Sequence, residues 1–289
     1  MDNLSITVLI NTLNEEKNIK ACLESVKWAD DIVIVDMHSE DKTIEIARKY
    51  TDRVFFFQKC GYADPAREFA LSQAKNEWCL IIDADELVPY AMFLKIKSIV
   101  ENNLVDVVWF PHNNYFFGIL LKATGWGPLQ DMHPRLFKKQ YMQLNPTIHS
   151  IYKIKENAKI LYIKNPHEGF IHFNYIDAEH FLDKLNKYTT IEANNMFVGT
   201  KPSPNGLLKE IYYIIREIGG RYVIKKGYKD GVIGLYLSIL MGAYKISAYL
   251  KLKIMQLYST ENSKKVILEK YKNIADNILK EYENKVSNQ

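Results

Sequence analysis

The sequence predicts an α/β protein built on a doubly wound, mostly parallel sheet and followed by a helical extension. Three observations carry that expectation. Short continuous apolar runs recur through the first hundred residues, at Ile6–Ile10, Ile32–Val35, Val54–Phe57 and Trp78–Ile82; such runs mark strands covered on both faces. Helix-like segments with short connections lie between them, the alternation that builds parallel sheets. From residue 177 onward the pattern is helical, with weak breaks at 201–206 and 227–231.

The elements follow in order. After the first strand, Asn14 can cap a helix with Glu15 and Glu16 in its first turn. Ile19, Cys22, Leu23 and Val26 then keep the i, i+3, i+4, i+7 spacing of an amphipathic helix. The second strand ends at Asp36, and Ser39 is placed to cap the next helix, with Glu40 and Asp41 in its first turn. Residues 64–75 read as a helix, and the fourth strand runs into Asp83, Asp85 and Glu86. Residues 88–175 are mixed: Val105–Phe110 and Arg135–Phe137 read as strands, separated by a loop rich in glycine and aromatics. The tail from 259 reads as a surface helix that frays at its end.

Composition bounds the function. A chain of 289 residues, 47% hydrophobic and 25% charged, is globular and large enough for a full core. Three scattered cysteines fit neither a disulfide framework nor a zinc spacing and suit a reducing compartment. Residues 1–20 carry no secretory leader pattern. The net charge of +4 hides an asymmetry: residues 1–200 hold 22 Lys/Arg against 26 Asp/Glu, whereas residues 201–257 hold 10 against 3. No nucleic-acid partner is expected, because those basic residues are interleaved with aliphatic runs and no recognised module is present.

The chemistry concentrates where strands end. In parallel sheets, ligands bind at the carboxyl ends of the strands, and Asp36, Asp83 and Asp85 all stand there. Crowded carboxylates repel one another unless a cation or ligand lies among them. Residues i and i+2 of an extended segment point to one side, so Asp83 and Asp85 can share a ligand. Magnesium and manganese favour a few carboxylates completed by phosphate oxygens and water. The plainer reading is a pair of solvated acids in a loop. Asp36 can accept hydrogen bonds from a base or ribose, or simply be solvated. Arg67 can meet a base or diphosphate, or pair with Glu68 or Asp64.

Four stretches in sequence order carry a resemblance: Asn11–Glu16, Asp36–Thr43, Arg67 in its helix, and Asp83-Ala84-Asp85. Together they resemble the inverting glycosyltransferases of family 2, whose nucleotide-sugar-binding fold is called GT-A. Trp126–Asp131, Arg135–Phe137, Ile148-His149, Gly169–Phe173, Lys184–Thr189 and Gly227–Gly231 extend the match. They are similar to the branch that adds sugars to lipopolysaccharide cores and related lipid-linked glycans. That branch usually carries a carboxylate where this chain has Ser150, and an aromatic-proline step directly before its aspartate, from which Pro128 is displaced.

The resemblance implies a nucleotide diphosphate sugar donor, a lipid-linked glycan acceptor and Mg2+ or Mn2+. It assigns Asp85 to the metal, and Asp83 to the metal, its bound water or the ribose. Asn11, Asn14, Glu15, Asp36, Arg67 and Asp83 become nucleotide-sugar contacts, and Arg135 and His149 acceptor or diphosphate contacts. Asp131, placed after a Gly/Pro/Trp loop and before a strand, is the expected general base, with Glu86, His133 and His149 as rivals. The implied organisation is a catalytic domain over 1–175, with a nucleotide-sugar half (1–100) and an acceptor half (101–175), then a helical part over 176–289.

Within that last part, the apolar run 232–250 is broken by Lys245 and flanked by Arg216, Arg221, Lys225, Lys226, Lys229, Lys251 and Lys253. Such a segment can lie in the interface of an anionic membrane, pack as a hairpin with its lysines solvated, or span a bilayer. The resemblance to enzymes with lipid acceptors favours the first, and with it a cytoplasmic protein peripheral on the inner face of the cell membrane. Two rival functions are a polyprenyl-phosphate sugar synthase and a nucleotide-sugar-binding protein without turnover.

Overall fold

The computed structural model describes residues 4–59, 64–144, 153–204 and 206–286. The chain forms two compact units, Met1–Asp177 and Ala178–Gln289.

In the first unit, β1 (Leu4–Thr12) lies between β2 (Ala29–Asp36) and β4 (Trp78–Asp83), with β3 (Val54–Phe56) beyond β2. All three pairings are parallel. Each face of β1, β2 and β4 is covered, which explains their unbroken apolar sequence, whereas β3 at the edge leaves Phe56 exposed. Ile6, Val8 and Ile10 meet α1 (Ile19–Val26), α2 (Thr43–Ala47) and α4 (Tyr90–Asn102) through Ile19, Leu23, Ala47, Met92 and Ile96. Leu9, Val33, Val35 and Ile81 meet Ala66 and Ala70 of α3 (Asp64–Ser72) on the opposite face. The winding is therefore double.

Beyond β4 the sheet changes character. After the short β5 (Glu86–Leu87) come β6 (Val107–Phe116), β7 (Ile119–Leu120) and β8 (Met132–Lys138). β8 inserts antiparallel between β4 and β6. A two-residue pair, β9 (Met142–Gln143) with β10 (Lys153–Ile154), forms a separate ribbon. β11 (Ile160–Tyr162) and β12 (Phe170–Tyr175) both run parallel to β6, and β5 closes antiparallel on β12. This last pairing places the residues just after Asp83 beside the end of the unit.

Two helix starts differ from expectation. α1 begins at Ile19, not after Asn14, because Asn14 adopts a left-handed backbone (φ 57°) and its Oδ1 accepts the Glu40 N–H at 2.8 Å. α2 begins at Thr43, and Ser39 caps nothing: its hydroxyl donates to Asp36 at 2.5 Å.

The second unit is helical: α5 (Ala178–Phe197), α6 (Leu207–Gly219), α7 (Gly231–Tyr258) and α8 (Ser263–Val286). Its core joins Ala193 and Met196 to Ala248, Tyr249, Leu252 and Met255. Gly242 allows α6 and α7 to cross closely, since a Cβ there would stand 2.5 Å from Ile218 Cγ1. Three lysines of the basic segment prove to be internal ties. Lys245 donates to Glu192 at 2.9 Å, Lys253 pairs with Glu210 at 3.1 Å, and Lys251 bonds Asn186, Thr189 and Thr190. Among the described residues, one helix, Gly227–Tyr258, is long and apolar enough by composition to cross a membrane.

Candidate active site

Asp83 ends β4 in register with Asn11 of β1. Its charge is met by the chain itself. Arg67 Nη2, from α3, donates to both Asp83 oxygens at 2.6 and 2.9 Å. Arg135 Nη2, from β8, bridges Asp83 Oδ2 at 2.9 Å and Glu86 Oε1 at 2.8 Å. Glu86 Oε2 accepts the Asp83 N–H at 2.9 Å, and His112 Nε2 of β6 lies 3.2 Å from Glu86 Oε1. Burial opposes ionisation of both acids, but the guanidiniums outweigh it. Asp83 is held well below the usual carboxylate range, and Glu86 is lowered to about 2. Burial pushes His112 down despite Glu86, so it tends to remain neutral.

Asp85 stands outside this ion cluster. Its carboxylate lies 3.5 Å from His172 Nε2 on β12, and its carbonyl accepts the Phe173 N–H at 3.0 Å. His172 Nδ1 approaches Asn114 Oδ1 to 2.7 Å. With the amide so oriented, Nδ1 carries the proton and Nε2 faces Asp85. Burial disfavours the imidazolium, yet the bond to Asp85 and the nearby carboxylates overcome it and raise the His172 pKa. Asn114 is fully buried in β6; its Nδ2 donates to Asp131 Oδ2 at 2.8 Å and to the Trp126 carbonyl at 2.9 Å.

The Asp131 side chain completes a circuit. Its Oδ1 lies 2.9 Å from His133 Nε2, and the His133 ring stands edge-on to His112 at 4.8 Å. Contacts therefore run from Asp85 through His172, Asn114, Asp131, His133, His112, Glu86 and Arg135 back to Asp83. Burial would raise the Asp131 pKa, but bonds to His133 and Asn114 prevail and hold it far below the carboxylate range. The turn before it is tight: Asp131 N–H bonds the Gly127 carbonyl at 3.1 Å. A Cβ at Gly127 would stand 2.3 Å from the Lys122 carbonyl oxygen, so only glycine fits.

A second group ties the loops after β1 and β2. Asn14 N–H donates to Ser39 at 2.8 Å, Glu15 N–H to Thr43 at 2.7 Å and Glu16 N–H to Asp41 at 3.0 Å. Asp36 is fully buried beneath them, with Oδ1 accepting Ser39 N–H and Oδ2 accepting the Thr12 hydroxyl, each at 2.7 Å. Asn11 is buried as well, and its Oδ1 has no hydrogen-bond partner.

Asp83, Arg67, Arg135, Asp36 and Glu86 all take partners from within the chain. The Asp83 oxygens, expected on a metal or its bound water, accept three guanidinium bonds from Arg67 and Arg135. Arg67 braces Asp83 through Nη2. Arg135 is buried between Asp83 and Glu86 instead of reaching outward to an acceptor. Asp36 faces the chain and holds the 37–43 loop. Glu86, a rival for the base, is 1% exposed and engaged on both oxygens, which removes it. His149, with Ile148 and Ser150, lies outside the described residues. Sequence reasoning missed the roles of His112, Asn114 and His172; the available signal was a polar run, His112-Asn113-Asn114, continuing an apolar strand.

The model of the family "Glycosyl transferase family 2" matches residues 7–161, more than half of the chain. The chain belongs to that family. It is 26% identical over 283 residues to an uncharacterized glycosyltransferase of Rickettsia conorii, covering 92% of this chain and 95% of the relative. It is 28% identical over 198 residues to the lipopolysaccharide core biosynthesis glycosyltransferase LpsC of Rhizobium meliloti, covering 66% and 71%. Among solved structures, the mannosyltransferase PcManGT of Pyrobaculum calidifontis, in complex with GDP-Man and Mn2+, aligns with TM-score 0.49 and 14% identity, covering 86% of this chain and 87% of that one.

Proposed function

We propose that this family 2 glycosyltransferase moves a sugar, with inversion, from a nucleotide diphosphate sugar to a hydroxyl of a lipid-linked glycan of the lipopolysaccharide type. One observation carries the reading. Of Asp83, Asp85 and Glu86, only Asp85 lacks a guanidinium partner among the described residues, and it is connected through His172 and Asn114 to Asp131.

A divalent cation, Mg2+ or Mn2+, fits this arrangement. Among the described residues no three His, Cys, Asp or Glu side chains converge on one point. A cation held by two side chains alone would need substrate phosphates and water to complete its coordination. Asp85 and His172 are the residues that would hold it. Bound there, the cation would neutralise charge developing on the leaving diphosphate.

The remaining roles belong to the chain. Asp131 is ionised, is oriented by Asn114 and His133, and accepts the proton of the acceptor hydroxyl. Each of its oxygens meets one side chain, Oδ2 the Asn114 amide and Oδ1 the His133 ring, so lone pairs remain for that proton. The cost is low basicity, since a base works best near the operating pH. Asn11 Oδ1, unpartnered beside Asp83, suits a donor group of the nucleoside. The lipid-linked acceptor and a position on the cytoplasmic face of the membrane are supported by the likeness to LpsC. They are supported too by exposed Val223, Ile224, Tyr228, Val232 and Tyr236 beside exposed Lys225, Lys226 and Lys229.

The test separates binding from turnover. Asp131→Asn should keep donor affinity by calorimetry and lose turnover by about a hundredfold or more. Weakened donor binding with normal turnover at saturation would make Asp131 a positioning residue and remove it as the base.

A further inference from the structure

The second unit contains a cavity of about 380 Å³, within the range of small-ligand sites. Its wall is uneven in charge. Lys201, Lys209, Arg216 and Lys245 line it against only Glu192 and Glu217. Both carboxylates are already engaged. Glu192 accepts Lys245 at 2.9 Å and the Tyr244 hydroxyl at 2.7 Å, with Lys201 at 3.5 Å. Burial would raise its pKa, but these partners lower it, so it stays an anion. Glu217 is bonded by Arg221 Nε at 2.6 Å.

That leaves Lys209 and Arg216. Neither has an ion-pair partner among the described residues, and both are exposed at the cavity. The Arg216 guanidinium lies over the rings of Tyr213 at 5.1 Å and Tyr212 at 5.8 Å. Stacking fixes its plane and leaves its edge, with its N–H fork, available to an oxyanion. Arg216 also borders a second cavity of about 260 Å³, lined further by Gly220, Arg221, Ile224 and Lys225. The cationic lining therefore continues toward an exposed apolar residue, Ile224.

We propose that this cavity is a phosphate-binding site, taking the phosphomonoester or diphosphate of a phosphorylated ligand on Arg216 and Lys209. Phosphate chemistry is favoured over carboxylate by the surplus of cations in the lining. The site uses only residues of the second unit and does not depend on the transfer chemistry assigned above.

Calorimetry on the full chain with inorganic pyrophosphate at low ionic strength tests the site. A lipid arm uses phosphatidylcholine vesicles containing phosphatidic acid, compared with phosphatidylglycerol at equal charge. Replacing both side chains (Arg216→Gln with Lys209→Gln) should weaken pyrophosphate or phosphatidic-acid binding at least about tenfold, the loss of charge-assisted hydrogen bonds. Run in EDTA, the measurement excludes pyrophosphate held through a cation at Asp85 and His172, which separates the two sites. Dependence in the phosphatidic-acid arm alone identifies a lipid headgroup as the source. Dependence with pyrophosphate identifies a soluble or exposed phosphate. Binding that is absent in EDTA, or that persists there unaffected by the double replacement with both ligands, overturns the proposal. Both substituted side chains are exposed, and an unchanged circular dichroism spectrum excludes misfolding as the cause.

Discussion

In the first unit, Asp83 and Glu86 lie against Arg67 and Arg135 with every distance under 3 Å, whereas in the second unit Lys209 and Arg216 face a cavity with no carboxylate left for them among the described residues. The first cluster solves an internal problem: acids crowded at a strand end are made tolerable by guanidiniums delivered from α3 and β8. The second presents charge outward. Charge content alone conceals this contrast, because the basic segment also includes Lys245, Lys251 and Lys253, which serve as struts. A charged residue acquires meaning from whether its partner is part of the same chain.

The largest expected effect breaks the closed cluster. Arg135→Met removes a cation that two carboxylates share, leaving the Glu86 carboxylate, only 1% exposed, without its guanidinium. Unfolding in urea should show a loss of about 3–5 kcal/mol. Arg216→Gln should change stability by no more than about 0.5 kcal/mol, as for an ordinary surface position. Similar losses for the two would erase the distinction between the units.

Acid titration sharpens the same comparison. The folded pKa of Glu86 is lowered to about 2 from an ordinary 4.5, so its unfolded form binds protons first. The stabilisation is present above about 4.5 and is lost as pH falls toward about 2. Urea midpoints measured stepwise across that window should fall steeply in the wild type and less steeply in Glu86→Gln. Arg216→Gln should leave the slope alone, since arginine stays charged throughout. An unchanged slope in Glu86→Gln would assign acid sensitivity elsewhere.

The smallest effect concerns the outward charge. Replacing Lys225, Lys226 and Lys229 with Gln should release the protein from anionic vesicles, at about 1 kcal/mol per lysine. Added salt should weaken wild-type binding, because screening limits surface charge to about 10 Å at 0.1 M. Co-sedimentation with anionic and zwitterionic vesicles reads this directly. Equal, salt-insensitive binding to both would point to hydrophobic insertion.

The four parallel strands were legible because burial on both faces forces unbroken apolar runs. α4 was not, although Met92, Phe93, Ile96 and Ile99 carry its period. It starts at Tyr90 behind Pro89, with no capping side chain and no acid in its first turn, so its boundary sends no signal. Asn14 and Ser39 misled for the opposite reason. Each is a good capping residue, but each bonds a neighbouring loop instead. The acids at the strand end were visible, while their partners were not. Arg135, Asn114 and His172 arrive through the pairing of β8, β6 and β12, which sequence spacing alone does not disclose.

The account stands most directly on Asp85. Transfer from a nucleotide sugar should require Mn2+ or Mg2+ and cease in EDTA, and Asp85→Asn should lower turnover about a hundredfold or more while urea unfolding stays near wild type. Full activity in EDTA, or in the Asn variant, would contradict it.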